Sequence, residues 1–268
     1  MAFLARSLSP SSIASYLNII RILHLDAGLA NPLENNWELQ MVRRGVARLR
    51  GVPVKQKLPI TLALLRDIFP FLDHFSSSFD KSFWAAALIA FFGFFRKSTI
   101  LPISAGAPGG ICRRDIQDLT RVSFDLVVRH TKTIQFGQRV LTLPFVYCLD
   151  QRLCPVRALL SHLTSSPAPL DAHIFTFLSS GKPCLLTHST FVAKLKSLLI
   201  ATNHDPNLYS AHSFRRGGST FAFSVNMPLL HVKMRGDWKS NCVERYIDIS
   251  MDTARASARL LSENVSVM

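Results

Sequence analysis

The sequence predicts a mainly α-helical protein with a small β-hairpin, an α+β class, on three observations. Apolar residues recur at three- and four-residue spacing in segment after segment of the 268 residues. A single pair of segments rich in β-branched and aromatic residues, 122–129 and 139–147, flanks a stretch containing Gly137, which is the pattern of a hairpin. Hydrophobic residues make up 48% of the chain, enough for a substantial core.

Taken in order, Ser11 or Ser12 is placed to cap a helix in which Ile13, Leu17, Ile20 and Leu23 recur at helical spacing, and Gly28 and Pro32 then break it. A second helix is expected over 38–50, with Leu39, Val42, Val46 and Leu49 on one face and Arg43, Arg44, Arg48 and Arg50 around the others, ending at Gly51. Its charged face reads equally as a solvated surface or as one that meets DNA. Segment 52–58, with Pro53, Lys55 and Lys57, reads as a linker, dividing the chain into a short helical domain with linker, 1–57, and a larger domain, 58–268.

Beyond the linker, Thr61 is placed to cap a helix running toward Leu72, and Asp80 to cap one ending near Gly93 to Arg96. The latter holds the apolar run 83–95, whose 13 residues are too few to span a bilayer and read as a buried core helix. A loop at 105–110 precedes the hairpin, with Lys132 near its turn. Helical patterns then return over 155–163, 189–201, 213–224 and 229–235.

The chain carries 31 Lys+Arg against 17 Asp+Glu, a formal charge of +14, and a pI of about 10.1. Such a balance favours a polyanionic partner, nucleic acid first, although a basic protein with no nucleic-acid role has the same composition. The five cysteines (Cys112, Cys148, Cys154, Cys184, Cys242) form no C-x-x-C pair and lack histidines at metal-ligand spacing, so a reduced, intracellular chain without a zinc site is expected. No secretory leader is recognisable at the N-terminus.

The most informative stretch is Ala211-His212-Ser213-Phe214-Arg215-Arg216-Gly217-Gly218, followed by Gly236-Asp237-Trp238 and Arg245-Tyr246-Ile247-Asp248. A histidine three residues before an arginine shares its helix face. A glycine pair lets another backbone approach closely. With Tyr246 lying 31 residues beyond Arg215, the pattern suggests a phosphate site served by a tyrosine. Upstream, Arg96 closes the apolar run and Lys132 stands in His130-Thr131-Lys132-Thr133.

On these residues the chain resembles the tyrosine recombinase (phage integrase) family, whose ordered signature is arginine, hairpin lysine, His-x-x-Arg, His or Trp, then tyrosine. The likeness covers roughly 60–263. It implies a catalytic recombinase domain preceded by a helical domain that clamps DNA from the opposite side, here short, as in a truncated copy. Breaking a phosphodiester without a metal needs cations around the non-bridging oxygens, an in-line nucleophile and a proton donor for the leaving oxygen. Arg96 and Arg215 suit the first task, because a guanidinium fork donates two parallel hydrogen bonds to phosphate and stays charged. Otherwise, Arg96 is a helix-terminal cation and Arg215 a nonspecific backbone contact. The resemblance gives Lys132 the proton-donor role, with Lys182 in Ser-Gly-Lys-Pro as the residue with which it could be confused.

His212 would accept a proton from the tyrosine or hydrogen-bond the phosphate. Trp238 occupies the His-or-Trp place. Asp237 competes for it, but its carboxylate would repel phosphate. Tyr246 is the expected nucleophile, yielding a 3′-phosphotyrosine and a free 5′ hydroxyl; Tyr209 and Tyr147 do not hold its position. One departure stands out: relatives often have an acidic residue three positions after the first arginine, where this chain has Thr99.

The resemblance implies a site-specific DNA recombinase or integrase that needs no cofactor or metal, works on double-stranded DNA and self-associates as a tetramer on paired sites. The tail 252–268 could make that contact or pack on its own domain. The alternatives are a catalytically inactive DNA-binding descendant and a type IB topoisomerase-like enzyme. Residues 92–98 are similar to those of recombinase-like genes in eukaryotic mobile elements, which would imply work in the nucleus, or in the cytoplasm of a prokaryotic host.

Overall fold

A computed structural model describes residues 3–51, 56–104, 110–131, 133–134, 139–240, 243–244, 251, 255, 258–259 and 262. The chain forms two compact units, Met1–Gln56 and Lys57–Met268.

The first unit is built on α1 (Pro10–Asp26) and α2 (Trp37–Arg50). Ser9, rather than Ser11 or Ser12, caps α1, its hydroxyl accepting from the Ser12 N–H at 3.2 Å. Pro10 takes the first helical position, where its missing N–H costs nothing. Ile13 and Leu17 are buried, whereas Ile20 and Leu23 remain exposed. Asn36 caps α2 through the Leu39 N–H at 2.8 Å, and Arg43, Arg44, Arg48 and Arg50 are all exposed. A groove of about 560 Å³ beside these helices is lined by Ile13, Gln40, Arg43 and Arg44 among others.

In the second unit Thr61 caps α3 (Leu62–Ile68) as its type predicts, accepting from Leu64 N at 3.1 Å. The helix stops short of Leu72, because Pro70 has no N–H to continue it and a 3₁₀ turn over Phe69–Phe71 follows. The α4 helix (Ser78–Phe92) is capped by Ser77, not Asp80. Asp80 lies three residues further in, where its buried carboxylate accepts from Asp73 N at 2.9 Å and pairs with Lys194 at 2.7 Å. Every residue from Ser82 to Phe91 is buried, so this helix, apolar on all sides, forms the axis of the core. It packs against α6 (Pro155–Ser165) and α8 (His212–Ser224) and against the strand β4 (Thr176–Ser179). A one-turn helix, α5 (Lys97–Ile100), follows α4.

The expected hairpin is β2 (Ser123–Val128) against β3 (Leu141–Val146), antiparallel, with Phe124 opposite Phe145 and their rings stacked at 4.8 Å. A short β1 (Ile116–Gln117) adds a third strand with the order β1-β2-β3. A second hairpin joins β4 to β5 (Lys182–Leu185) through Ser180 and Gly181, at φ 50° and 74°. Two successive positive φ values make the tight turn that matches strand twist. The remaining helices are α7 (His188–Ala201) and α9 (Leu229–Arg235).

Among the described residues no helix is long and apolar enough to cross a membrane, and no group of three or more His, Cys, Asp or Glu could hold a metal ion. Cys112, Cys148, Cys154 and Cys184 are free thiols. The expected loop at 105–110, except Gly110, most of the linker and most of the tail lie outside the described residues.

Candidate active site

The site is assembled where α4 ends. Gly93 closes the helix, Phe94 turns the chain with φ 51°, and Arg96 then precedes α5, half-buried. A left-handed phenylalanine is strained, and packing holds this one: it is 3% exposed, with its ring 6.3 Å from that of Trp238. The turn leaves the Phe94 carbonyl facing α8.

The depth of α8 is set by its glycines. A Cβ on Gly217 would stand 1.8 Å from the Ile60 carbonyl oxygen, and one on Gly218 would stand 1.9 Å from that of Phe91. Only hydrogen at these positions lets the helix lie against both backbones. That approach buries Arg215 to 2% exposure. Its Nη1 donates to Phe94 O and its Nη2 to Gly236 O at 2.7 Å, while the guanidinium carbon lies 3.7 Å from the Trp238 ring centroid. These carbonyls and the indole face orient the guanidinium.

Trp238 is itself 6% exposed, and it reaches this position because Gly236 has no side chain: a Cβ there would stand 1.8 Å from the indole. Trp238 packs with Phe94, Ala222, Val232 and Val243 in one apolar cluster, so the chain is anchored three residues before Tyr246.

His212 opens α8 one turn before Arg215. It keeps solvent-accessible surface, yet desolvation by the surrounding protein, followed by the charges of Arg215, Arg96 and Lys97, lowers its pKa to about 4. The ring is therefore neutral at pH 7 and can accept a proton. The same interactions place Arg96, His212 and Arg215 within one electrostatic neighbourhood. Tyr209 has its phenol pKa raised by desolvation, the opposite of what a nucleophile needs.

Asp237 takes no part in that cation cluster. Its carboxylate, 5% exposed as a residue, accepts from Thr131 Oγ1 at 2.5 Å and from Thr133 Oγ1, and it pairs with Arg139. Burial alone would raise its pKa, but these donors outweigh it and keep the group below the usual carboxylate range.

Of the six residues expected from the sequence, the structure thus brings together Arg96, His212, Arg215 and Trp238. Lys132 and Tyr246 lie outside the described residues. Thr99 is buried, at 5% exposure, with its N–H on Arg96 O at 2.9 Å, the ordinary start of a helical turn. Lys182 begins β5, in the other hairpin. Sequence reasoning missed the bonds of Asp237. It also missed Arg235, which donates to Phe92 O at 2.5 Å and Pro144 O at 3.0 Å and ties α9 to α4 and β3. The threonines on both sides of Lys132 were a visible signal for the first; no local pattern marks the second.

No protein-family model matches the chain. A curated relative, the integrase/recombinase XerD homolog of Selenomonas ruminantium, is 26% identical over 258 residues, covering 91% of this chain and 70% of the relative. Solved structures with the same fold include the Tn1549 transposon integrase bound to transposon right-end DNA (TM-score 0.60, 14% identity, 96% of this chain and 81% of that one). They also include the site-specific recombinase XerH bound to its difH substrate (TM-score 0.52, 11% identity, 94% and 70%).

Proposed function

From the premise that the chain belongs to the tyrosine recombinase family, we propose that it cuts and rejoins double-stranded DNA as a site-specific recombinase or integrase. The observation that carries this reading is Arg215, buried yet charged, held by Phe94 O, Gly236 O and the Trp238 ring beside a neutral His212 and the charge of Arg96. Such preorganised cations stabilise the charge that builds on the non-bridging oxygens of a phosphodiester under attack.

In the proposed step the Tyr246 oxygen forms a bond to phosphorus as the bond from phosphorus to O5′ breaks. The phenol proton passes to His212 or to solvent, and the Lys132 ammonium protonates the departing O5′. A 3′-phosphotyrosine and a 5′ hydroxyl result, and the hydroxyl of another strand reverses the step. Arg96 and Arg215 hold the phosphate throughout, and Trp238 keeps Arg215 in place. The arginines of α2 contribute sequence-independent backbone contacts from the first unit. A tetramer on two DNA sites is the working assembly.

The test is a supercoiled plasmid carrying two copies of the DNA that flanks the chain's own gene. Exchange between the two copies is the expected result. Relaxation without exchange would instead identify a topoisomerase-like enzyme. Binding without strand breakage would identify a DNA-binding descendant, the reading that Thr99 favours by leaving the first arginine without an acidic neighbour three positions on.

A further inference from the structure

Three consecutive residues, Gly236, Asp237 and Trp238, connect two parts of the site that are far apart in sequence. The Gly236 carbonyl takes Arg215 Nη2 at 2.7 Å, and the Trp238 ring lies under the same guanidinium at 3.7 Å. Between them, Asp237 turns the other way and takes the hydroxyls of Thr131 and Thr133 together with Arg139. Thr131 and Thr133 are the immediate neighbours of Lys132 on either side, and Arg139 stands before β3, across the hairpin turn.

We propose that Asp237 is a positioning residue: by gripping both neighbours of Lys132 and the far side of the same turn, it sets where the lysine stands relative to the phosphate held by Arg215. The inference rests on the strand-transfer reading and gives that reading a link between its phosphate-binding and proton-donating halves.

Several features of the contact fit this role. An acidic group close to a phosphate site weakens anion binding unless its charge is matched, and here Arg139 matches it. The carboxylate is nearly withdrawn from solvent, so its three donors are worth more than they would be at a surface. The threonines are ordered in turn: the Thr131 hydroxyl also accepts from the N–H groups of Thr133 and Ile134, each at 3.1 Å, and Thr131 N donates to Ile134 O at 3.2 Å. Thr131, Thr133 and Ile134 are thus tied to one another locally and to Asp237 at long range. The Asp237 backbone adopts φ 53°, a conformation that aspartate and asparagine tolerate better than most residues.

That tolerance makes Asp237→Asn the suitable variant, since it removes the charge without adding backbone strain. Its single-turnover cleavage should be compared with that of the wild type, Lys132→Ala and Arg215→Lys. Two otherwise identical DNAs are needed: one with the normal bridging O5′ and one with sulfur in its place, whose thiolate departs without a proton donor. On oxygen DNA, Asp237→Asn should be slower by about tenfold or more, within the range general acid catalysis supplies. On sulfur DNA, both Asp237→Asn and Lys132→Ala should recover to within a few-fold of the wild type, whereas Arg215→Lys should remain slow on both. An Asp237→Asn defect of equal size on the two DNAs, or no defect, overturns the inference while leaving the strand-transfer reading intact.

Amide hydrogen exchange on the free proteins supplies an arm that needs no activity. Thr133 and Ile134 should lose protection in Asp237→Asn, and unchanged protection overturns the anchor. A wild type that cleaves neither DNA defeats the strand-transfer reading and the lysine role with it, and the exchange result then decides separately whether Asp237 holds the turn.

Discussion

Arg215 is expensive to bury, and the fold meets that cost with two carbonyl acceptors and an indole face. Arg215→Ala should therefore do two things at once. Cleavage should fall on the order of 10²-fold or more, the scale of losing one preorganised charge. Stability should fall by about 2 kcal/mol, because two buried carbonyls lose their donor, and a urea midpoint reads this directly. His212 yields a pH prediction. With its pKa lowered to about 4, its neutral form persists through the weakly acidic range, so cleavage between pH 8 and 5.5 should show no His212 titration. An acid limb near pH 6.5 that vanishes in His212→Gln would contradict the assignment. At this scale the sequence was informative where partners are local: one helical turn links His212 to Arg215. The grip of Asp237 on Thr131 and Thr133 spans 106 and 104 residues, and only the folded chain brings those residues together.

Helix α8 shows how much an element depends on two missing methyl groups. Gly217→Ala and Gly218→Ala would each drive a Cβ into backbone oxygen, which cannot swing aside as a side chain can. Each should cost about 3 kcal/mol or more in chemical denaturation, at or above the upper end of ordinary overpacking. Gly45→Ala in α2 should do the reverse, because nothing lies within 4 Å of its added Cβ; a gain of about 0.5–1 kcal/mol is expected from helix propensity and the stiffer unfolded chain. Opposite signs at these sites test the close approach that places Arg215. The glycine pair and the all-apolar α4 were legible because each leaves a mark in consecutive residues. The caps were legible in type but not always in position: Asp80 is a good cap by itself, but Lys194 and the Asp73 amide claim its carboxylate from elsewhere in the fold. The β4–β5 hairpin was missed because its strands have four residues each and one contains Pro183, which lowers strand propensity.

For the molecule as a whole, a formal charge of +14 predicts DNA binding that weakens steeply and linearly on a logarithmic salt scale as counterions are released; a flat titration would sink the electrostatic argument. Stability should also depend on acid. Burial lowers the pKa values of His162 and His173 to about 4, and the His173 Nδ1 accepts from the Phe175 N–H at 3.2 Å, a bond that protonation removes. Their folded pKa values lie below the unfolded ones, so the unfolded chain takes up protons first. The stability is therefore fully present above about pH 6.5 and is lost as pH falls toward 4, with His162 contributing on the order of 3 kcal/mol. Thermal midpoints that stay level from pH 7 to 4.5 would contradict this. The α+β class was readable because helical periods recur along the chain and one pair of β-rich segments, 122–129 and 139–147, interrupts them, while the small β1 and the meeting of α4, α8 and the 236–238 segment depend on packing over long sequence separations. Strand transfer as proposed requires Tyr246 to become covalently joined to DNA. The most direct measurement is denaturant-resistant adduct formation on nicked DNA from the flanks of the chain's own gene, wild type against Tyr246→Phe, with the linked peptide identified by mass spectrometry. An adduct at Tyr246 is expected in the wild type and none in the variant, with DNA affinity retained. An adduct of equal yield in Tyr246→Phe, or one mapped to another residue, would contradict it.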